Sequence, residues 1–338
     1  MKNKVVPYII AEAGVNHNGE MSAALRLVDI ARIAGADCVK FQAYTADELS
    51  TRYAPKAAYQ KECGEESQYE MLLKYELKEE DFKVIKDYCK GRAIDFLITP
   101  FSPRWVKIFY DMGVNMLKIS SGSINSLALL KEIGMTGLPV ILSTGMSTIK
   151  EIRDAILVLK ESGCNDLSLL HCVSLYPTPI EKANLFVINL LKKEFNLPVG
   201  FSDHTKETIT GQLAIASGAT ILEKHFMSDK NQYGPDHKAS LSPHGLKEYV
   251  EGVRKAVKIC GTGIKEISKE ELQVKEAVQS SLVAKKFIKK GDKITAEMLT
   301  EKRPFIGISP MEINNIIGKT VIKDIILDKV LTYDCFKK

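Results

Sequence analysis

Two lysines sit inside apolar runs, Val39-Lys40-Phe41-Gln42 and Leu117-Lys118-Ile119-Ser120. A buried ammonium loses much of its hydration energy, so each must be paired or must face a polar cavity. A surface place at a strand end is the plain alternative for either lysine taken alone. Two of them, with hydroxyls at neighbouring strand ends, point to an inward cationic pocket for a phosphate or carboxylate. A Schiff-base lysine is the competing chemistry. Paired cations with Ser and Thr donors favour the anion site.

Two histidines supply the second signal. Ser202-Asp203-His204-Thr205 and Glu223-Lys224-His225-Phe226 close consecutive apolar runs. Neighbouring strands lie about 4.8 Å apart, so both rings could reach one divalent ion. Strand alternation puts Glu223 on the same side as His225, as base, ligand or second partner. Two imidazoles without a thiolate suit Mn²⁺, Fe²⁺, Co²⁺ or Zn²⁺. His171 reads as structural, and His17, His237 and His244 as loop residues that are exposed or hydrogen-bonded. An anion cradle beside a carbonyl-polarising metal implies condensation of a phosphorylated nucleophile with an aldehyde.

The elements that must position these groups alternate in type. Candidate strands are Val5–Ile10, Cys38–Gln42, Phe96–Thr99, Met116–Ile119, Val140–Ser143, Ser168–His171, Val199–Phe201 and Ile221–His225. Helical patterns lie between them, including Ala23–Ala34, Asp81–Lys90, Thr148–Lys160 and Glu207–Ala216, with Leu246–Lys258 after the last strand. Strands separated by helices imply right-handed crossovers and a parallel sheet. Eight such units match a (β/α)₈ TIM barrel, with a doubly wound open sheet as the structural rival. The strand ends then gather Glu12, Lys40, Gln42, Thr99, Lys118, Ser121, Ser143, His171, Tyr176, Ser202, His204, Glu223 and His225 on one face. Tyr44–Ser67 shows no clear period and reads as a long loop on that face, a lid or substrate wall.

The pattern changes after Cys260. The expected organisation is a catalytic barrel over 1–262, a partly helical linker over 263–280, and a small domain over 281–338. Phe287–Thr295 and Asp324–Thr332 are loosely alike, which hints at two similar halves in that domain.

Composition excludes several classes. Of 338 residues, 45% are hydrophobic and 26% charged, which is globular usage rather than disorder or coiled coil. The net charge of +5 falls entirely in residues 283–338, with 12 Lys or Arg against 7 Asp or Glu. Those lysines are spaced among acids, so no nucleic-acid partner is expected. The apolar run Val5–Ala11 is too short to span a bilayer, so no membrane segment and no leader are expected. Seven cysteines with no CxxC pair argue for reduced thiols and a cytoplasmic location.

At these residues the chain resembles the sialic acid synthase family, bacterial enzymes that make nine-carbon nonulosonic acids. The matching motifs include Ala11-Glu12-Ala13-Gly14-Val15-Asn16-His17-Asn18-Gly19, Val39-Lys40-Phe41-Gln42, Ser143-Thr144-Gly145-Met146 and Leu170-His171-Cys172. Tyr176-Pro177-Thr178-Pro179, Gly200-Phe201-Ser202-Asp203-His204-Thr205, Leu222-Glu223-Lys224-His225-Phe226 and Gly234-Pro235-Asp236-His237-Lys238-Ala239-Ser240-Leu241 continue the match. The resemblance runs nearly end to end, and residues 281–338 are similar to the antifreeze-like (SAF) domain that closes the family.

The resemblance implies that phosphoenolpyruvate condenses with the aldehyde of an N-acetylmannosamine-type sugar and releases phosphate. It implies that Lys40, Thr99, Lys118, Ser121, Ser143 and Ser202 bind phosphoenolpyruvate. His204 and His225 would hold a divalent metal, Mn²⁺ ahead of Mg²⁺ or Co²⁺, while Glu12 and Glu223 handle protons or orient water. Gln42, Tyr176 and Asp236 would bind the sugar, and Arg303 would reach it from the partner subunit of a domain-swapped homodimer. Ser123 and Ser174 depart from the neuraminate branch, which has an acid and an asparagine there. Pro304-Phe305-Ile306-Gly307 replaces its usual Pro-Gly-Asn-Gly. Ala57-Ala58-Tyr59-Gln60 and Glu66-Ser67-Gln68-Tyr69-Glu70-Met71 look more like legionaminic acid synthases. The favoured acceptor is therefore 2,4-diacetamido-2,4,6-trideoxymannose, ahead of N-acetylmannosamine, with pseudaminate synthesis third. Synthases that extend phosphorylated pentoses or tetroses need a second phosphate site, and no further Arg cluster is present. A non-catalytic carbohydrate- or ice-binding protein is the remaining rival.

Overall fold

A computed structural model describes residues 6–56, 67–231 and 234–337. The chain divides into two compact units, Met1–Thr262 and Gly263–Lys338. In the first unit, eight parallel strands close in sequence order into a barrel. They are β1 (Tyr8–Gly14), β2 (Cys38–Ala43), β3 (Asp95–Pro100), β4 (Leu117–Ile119), β5 (Val140–Ser143), β6 (Leu167–Cys172), β7 (Val199–Asp203) and β8 (Ile221–His225). The helices are α1 (Met21–Ala34), α2 (Ala46–Leu49), α3 (Gln68–Tyr75), α4 (Glu79–Gly91), α5 (Pro103–Asp111) and α6 (Leu127–Met135). They continue with α7 (Ile149–Glu161), α8 (Val187–Phe195), α9 (Ile209–Ala216) and α10 (Pro243–Cys260). Ring closure excludes the open-sheet rival.

Local sequence explains the helix starts. Thr148 and Glu151 form a reciprocal capping box ahead of α7, whose buried Ile152, Ala155, Ile156 and Leu159 repeat with helical spacing. Ser102 and Ser242 cap α5 and α10, each followed by proline in the first turn.

Side-chain alternation along the strands builds the interior in layers. Ile10, Cys38, Leu97, Ile141 and Leu170 form an apolar plug inside the barrel. Two residues further along, the same strands turn Glu12, Lys40, Thr99, Ser143 and Cys172 to the same side. At Gly200 the plug leaves no room, since a Cβ there would stand 2.2 Å from Ile221 O. The outward residues join the helices in a separate cluster that includes Ile9, Val39, Phe41, Leu142, Phe201 and Leu222.

Several boundaries move. The first strand was expected to end at Ile10; it runs to Gly14 and includes Glu12, while Val5 lies outside the described residues. The seventh runs on to Asp203 and includes Ser202. In both cases a polar residue was read as a terminus, whereas it continues the ladder while facing the barrel interior. Within the stretch read as a loop, Ala46–Leu49 is helical. Residues 57–66, including Cys63 and the Ala57-Ala58-Tyr59-Gln60 motif, lie outside the described residues. The six other cysteines are free thiols, and among the described residues no helix is long and apolar enough to cross a membrane.

In the second unit, α11 (Lys269–Val278) precedes β9 (Ser281–Ala284), which pairs antiparallel with β10 (Leu299–Lys302). A core of its own includes Leu282, Ile288, Ile294, Ile308, Ile316, Val321, Ile325, Leu331 and Phe336. Ile288 and Ile325 exchange two backbone hydrogen bonds. They are the second residues of the two similar segments noted above.

Candidate active site

The polar layer opens into a cavity of about 580 Å³ at the carboxyl ends of the strands. Glu12, Lys40, Gln42, Lys118, Ser121, Ser143, Tyr176, Ser202, His204, Glu223, His225 and Asp236 all line it. Thr99 does not line it; it is buried and accepts from Lys40 Nζ at 3.2 Å. Arg303 lies in the second unit, exposed just past β10.

Two carboxylates and two ammoniums make the floor. Lys40 Nζ is 3.0 Å from Glu12 Oε2 and 3.5 Å from Glu223 Oε2. Lys118 Nζ donates to Ser143 Oγ at 2.6 Å and lies 3.9 Å from Glu223 Oε2. Glu223 Oε1 accepts from Ser202 Oγ at 2.8 Å, and Glu12 Oε1 accepts from Gln42 Nε2 at 2.9 Å. All four charged groups are buried.

Their environments separate the two carboxyl groups. Burial pushes Glu12 up and Glu223 adds to this, while Lys40 opposes it; the outcome is about 7. Burial also pushes Glu223 up, but Lys118, Lys40 and Ser202 outweigh it and hold the carboxyl at about 2. Burial lowers Lys118 to about 8 despite Glu223, whereas Glu12 and Glu223 overcome burial at Lys40 and raise it. Glu12 can therefore carry a proton near neutral pH, while Glu223 stays a fixed negative charge.

The imidazoles line the same cavity. The His204 and His225 rings lie 5.4 Å apart, and Tyr176 stacks on His204 at 4.1 Å. His204 Nδ1 is 2.8 Å from Val173 O, which assigns a proton to Nδ1 and makes Nε2 the nitrogen that would face a cation. Burial would lower His204, but Cys172 Sγ, 3.8 Å from Nδ1, lifts it to about 9, so Nε2 also holds a proton near neutral pH and a bound cation would have to displace it. His225 Nδ1 is buried without a hydrogen-bond partner among the described residues and lies 3.8 Å from Asp236 Oδ2. Burial and His204 push this ring well below its usual range, so it is neutral, as a metal ligand must be. Among the described residues no group of three or more His, Cys, Asp or Glu side chains is placed to hold a metal ion. The donor set fits a divalent cation that takes its other ligands from water and substrate oxygen.

Asp236 arrives on the loop after β8. Burial raises its carboxyl to about 6, against His204 and Lys40. Gly14 allows the approach, because a Cβ there would stand 2.9 Å from Asp236 Oδ2.

The wall of the cavity was expected only in part: Leu49 falls in the stretch 44–67 read as a lid or substrate wall, whereas the contribution of α3 was not expected. Leu49 of α2, Gln68, Met71, Leu72 and Tyr75 of α3, Phe101 and Val15 line it. Helix α3 is set by a Ser67–Glu70 capping box, a local signal that names the helix but not the surface it meets. Cys172 also faces the cavity, as do Ser123 and Ser174, the two positions that depart from the neuraminate branch. His171 is structural as expected, with Nε2 2.8 Å from Ala183 O. His244 is exposed and His17, though buried, accepts from Gly19 N at 3.0 Å, both as expected; His237 is buried with neither ring nitrogen partnered among the described residues.

Comparison with known proteins agrees with this picture. The profile of the NeuB family matches residues 27–265, and that of the SAF domain matches residues 279–337. An N,N'-diacetyllegionaminic acid synthase of Campylobacter jejuni is 43% identical over 96% of this chain and 98% of its own length. A protein of the same description from Legionella pneumophila is 42% identical over 92% of this chain and 89% of its own. Among solved structures, an N-acetylneuraminic acid synthetase of Leptospira borgpetersenii in complex with citrate superposes with a TM-score of 0.73. It is 34% identical and covers 81% of this chain and 93% of its own.

Proposed function

The chain belongs to the NeuB family, and we propose that it condenses phosphoenolpyruvate with 2,4-diacetamido-2,4,6-trideoxymannose to give N,N'-diacetyllegionaminate and phosphate. The observation that carries this reading is one cavity that holds Lys40, Lys118 and Ser143 together with His204 and His225. The ammoniums and the hydroxyls of Ser121, Ser143 and Ser202 suit the phosphate and carboxylate of phosphoenolpyruvate. Thr99 acts through Lys40. For the sugar, the apolar wall of Leu49, Met71, Leu72 and Phe101 suits acetamido methyls and a 6-deoxy carbon better than extra hydroxyls. Gln42, Tyr176 and Asp236 supply polar contacts. The 42–43% identity to the two legionaminic acid synthases supports the same choice. N-acetylmannosamine is the second candidate acceptor and the precursor of pseudaminate the third.

A divalent cation on the two imidazoles, Mn²⁺ by preference, would act as a Lewis acid on the aldehyde oxygen. The chain's own residues manage charge and protons. The bound trianion of phosphoenolpyruvate raises Glu12 further, so its carboxyl enters the reaction protonated. The methylene carbon of phosphoenolpyruvate bonds to the aldehyde carbon, and Glu12 gives its proton to the new alkoxide. Positive charge at the enol ether carbon is met by Glu223. Water adds there and loses a proton to Glu12. The tetrahedral intermediate collapses with C–O cleavage, phosphate leaves against Lys40 and Lys118, and the remaining hydroxyl proton departs as the ketone forms. Arg303 of a second copy completes the sugar site, which makes the working unit a homodimer with exchanged C-terminal domains. The reaction is cytoplasmic.

The test is incubation of the full chain with phosphoenolpyruvate, Mn²⁺ and a sugar panel, read by phosphate release and product mass. The diacetamido trideoxy sugar should be the preferred acceptor. Turnover with arabinose 5-phosphate but with no N-acylated sugar would overturn the assignment.

A further inference from the structure

The backbone ladder between β7 and β8 ends at the pair Asp203 and Lys224, one residue short of each imidazole. Their side chains point away from the barrel interior, opposite to Ser202 and Glu223, and meet in an ion pair of 3.0 Å with both side chains fully buried. Asp203 Oδ1 accepts from Thr205 N at 2.9 Å and from Thr205 Oγ1 at 2.8 Å, and Oδ2 accepts from Thr210 Oγ1. Lys224 Nζ donates to Thr205 O at 2.6 Å and stands 5.5 Å from the centre of the Tyr249 ring. The residue on each side of His204 is thus tied to the residue preceding His225.

A buried ion pair is weak evidence for stability, because desolvation offsets its attraction, and well-packed apolar residues often serve as well. Its place here offers another use. Beyond Asp203 no strand pairing fixes His204 against β8, and an ion site needs its ligands held to within about half an ångström. We propose that Asp203 and Lys224 are positioning residues that set the separation of the His204 and His225 imidazoles for a divalent cation. This inference rests on the reading of those two rings as ligands.

The experiment is calorimetric titration of the metal-free full chain with Mn²⁺, with phosphoenolpyruvate titrated separately and thermal melting in parallel. The double variant Asp203→Leu/Lys224→Met should melt within a few degrees of the wild type and bind phosphoenolpyruvate within about twofold. Its Mn²⁺ affinity should fall by about 10–100-fold, the usual cost of losing an outer partner of a metal ligand. Thr205→Val, which keeps shape but removes the hydroxyl on Asp203, should weaken Mn²⁺ binding several-fold, and Thr205→Ser should restore it. If the double variant does not fold, the Thr205 pair decides alone. A folded double variant, or Thr205→Val, that binds Mn²⁺ like the wild type overturns the proposal. Absence of Mn²⁺ binding to the wild type, with phosphoenolpyruvate still bound, would instead remove the metal reading and this inference with it.

Discussion

Lys40 Nζ and Glu12 Oε2 are 3.0 Å apart, both side chains buried on the floor of the cavity. Lys40 is the cation that holds Glu12 down to about 7 against burial. In Lys40→Met the carboxyl rises further, and breaking a buried pair costs about 3–5 kcal/mol. The sign of its pH dependence follows. A carboxyl raised in the folded state has its full stability below its unfolded value of 4.5 and loses it as pH rises through the folded value. The deficit of Lys40→Met should therefore be larger at pH 8 than at pH 5.5 in denaturant unfolding. Equal deficits at both pH values would show that Glu12 is not the group left uncompensated.

Glu12→Gln separates proton transfer from binding. The amide keeps the neutral form that the bound trianion favours, so affinity for phosphoenolpyruvate should hold within about threefold while kcat falls by about 10²–10⁴-fold. In the wild type, kcat/KM for phosphoenolpyruvate should decline as pH rises through about 7, where Glu12 ionises, and its binding to the variant should lack that step. A variant with normal kcat would remove Glu12 from the reaction.

His204→Ala and His225→Ala should each abolish Mn²⁺ binding and phosphate release. Chelation of the wild type should have the same effect and be reversed by Mn²⁺, whereas neither variant should recover. Full activity after exhaustive chelation would argue for carbonyl activation by the protein alone.

Met71 puts an apolar side chain on the cavity wall. Met71→Asn should lower the preference for the diacetamido trideoxy sugar over N-acetylmannosamine by about tenfold, within the span that one apolar contact can discriminate. Competition assays with both sugars measure the ratio directly, and an unchanged ratio would place the selective contact elsewhere.

Arg303→Ala should raise KM for the sugar and leave phosphoenolpyruvate binding and melting unchanged. If the arginine serves the neighbouring copy, mixing Arg303→Ala with inactive His204→Ala chains, assayed at a sugar concentration too low for Arg303→Ala to turn over well, should recover part of the activity. No recovery in exchanged dimers would rule out a shared site.

Much of the site was legible because strand chemistry is local. Lys40 and Lys118 inside apolar runs read as paired and inward rather than as surface residues at strand ends, and both are paired inside the barrel. The shared side of Glu223 and His225 followed from period-two alternation within β8, and the nearness of His204 followed from the end of the adjacent strand. The same local rule failed at strand ends, because Glu12 and Ser202 are polar yet remain in the ladder. Polar character marks a terminus on a solvent-facing strand but not on one that faces a charged cavity.

Sequence alone determined the alternation of strands and helices, the inward polar layer and the family motifs, since each depends on residues close in the chain. The tertiary structure decided which carboxyl carries a proton, because Glu12 and Glu223 are told apart by the lysines, Gln42 and Ser202 that other strands bring to them. It also brought the apolar face of α3 to the cavity and joined Asp203 to Lys224, 21 residues apart. Such pairings depend on how separate elements pack against one another, which no local spacing encodes.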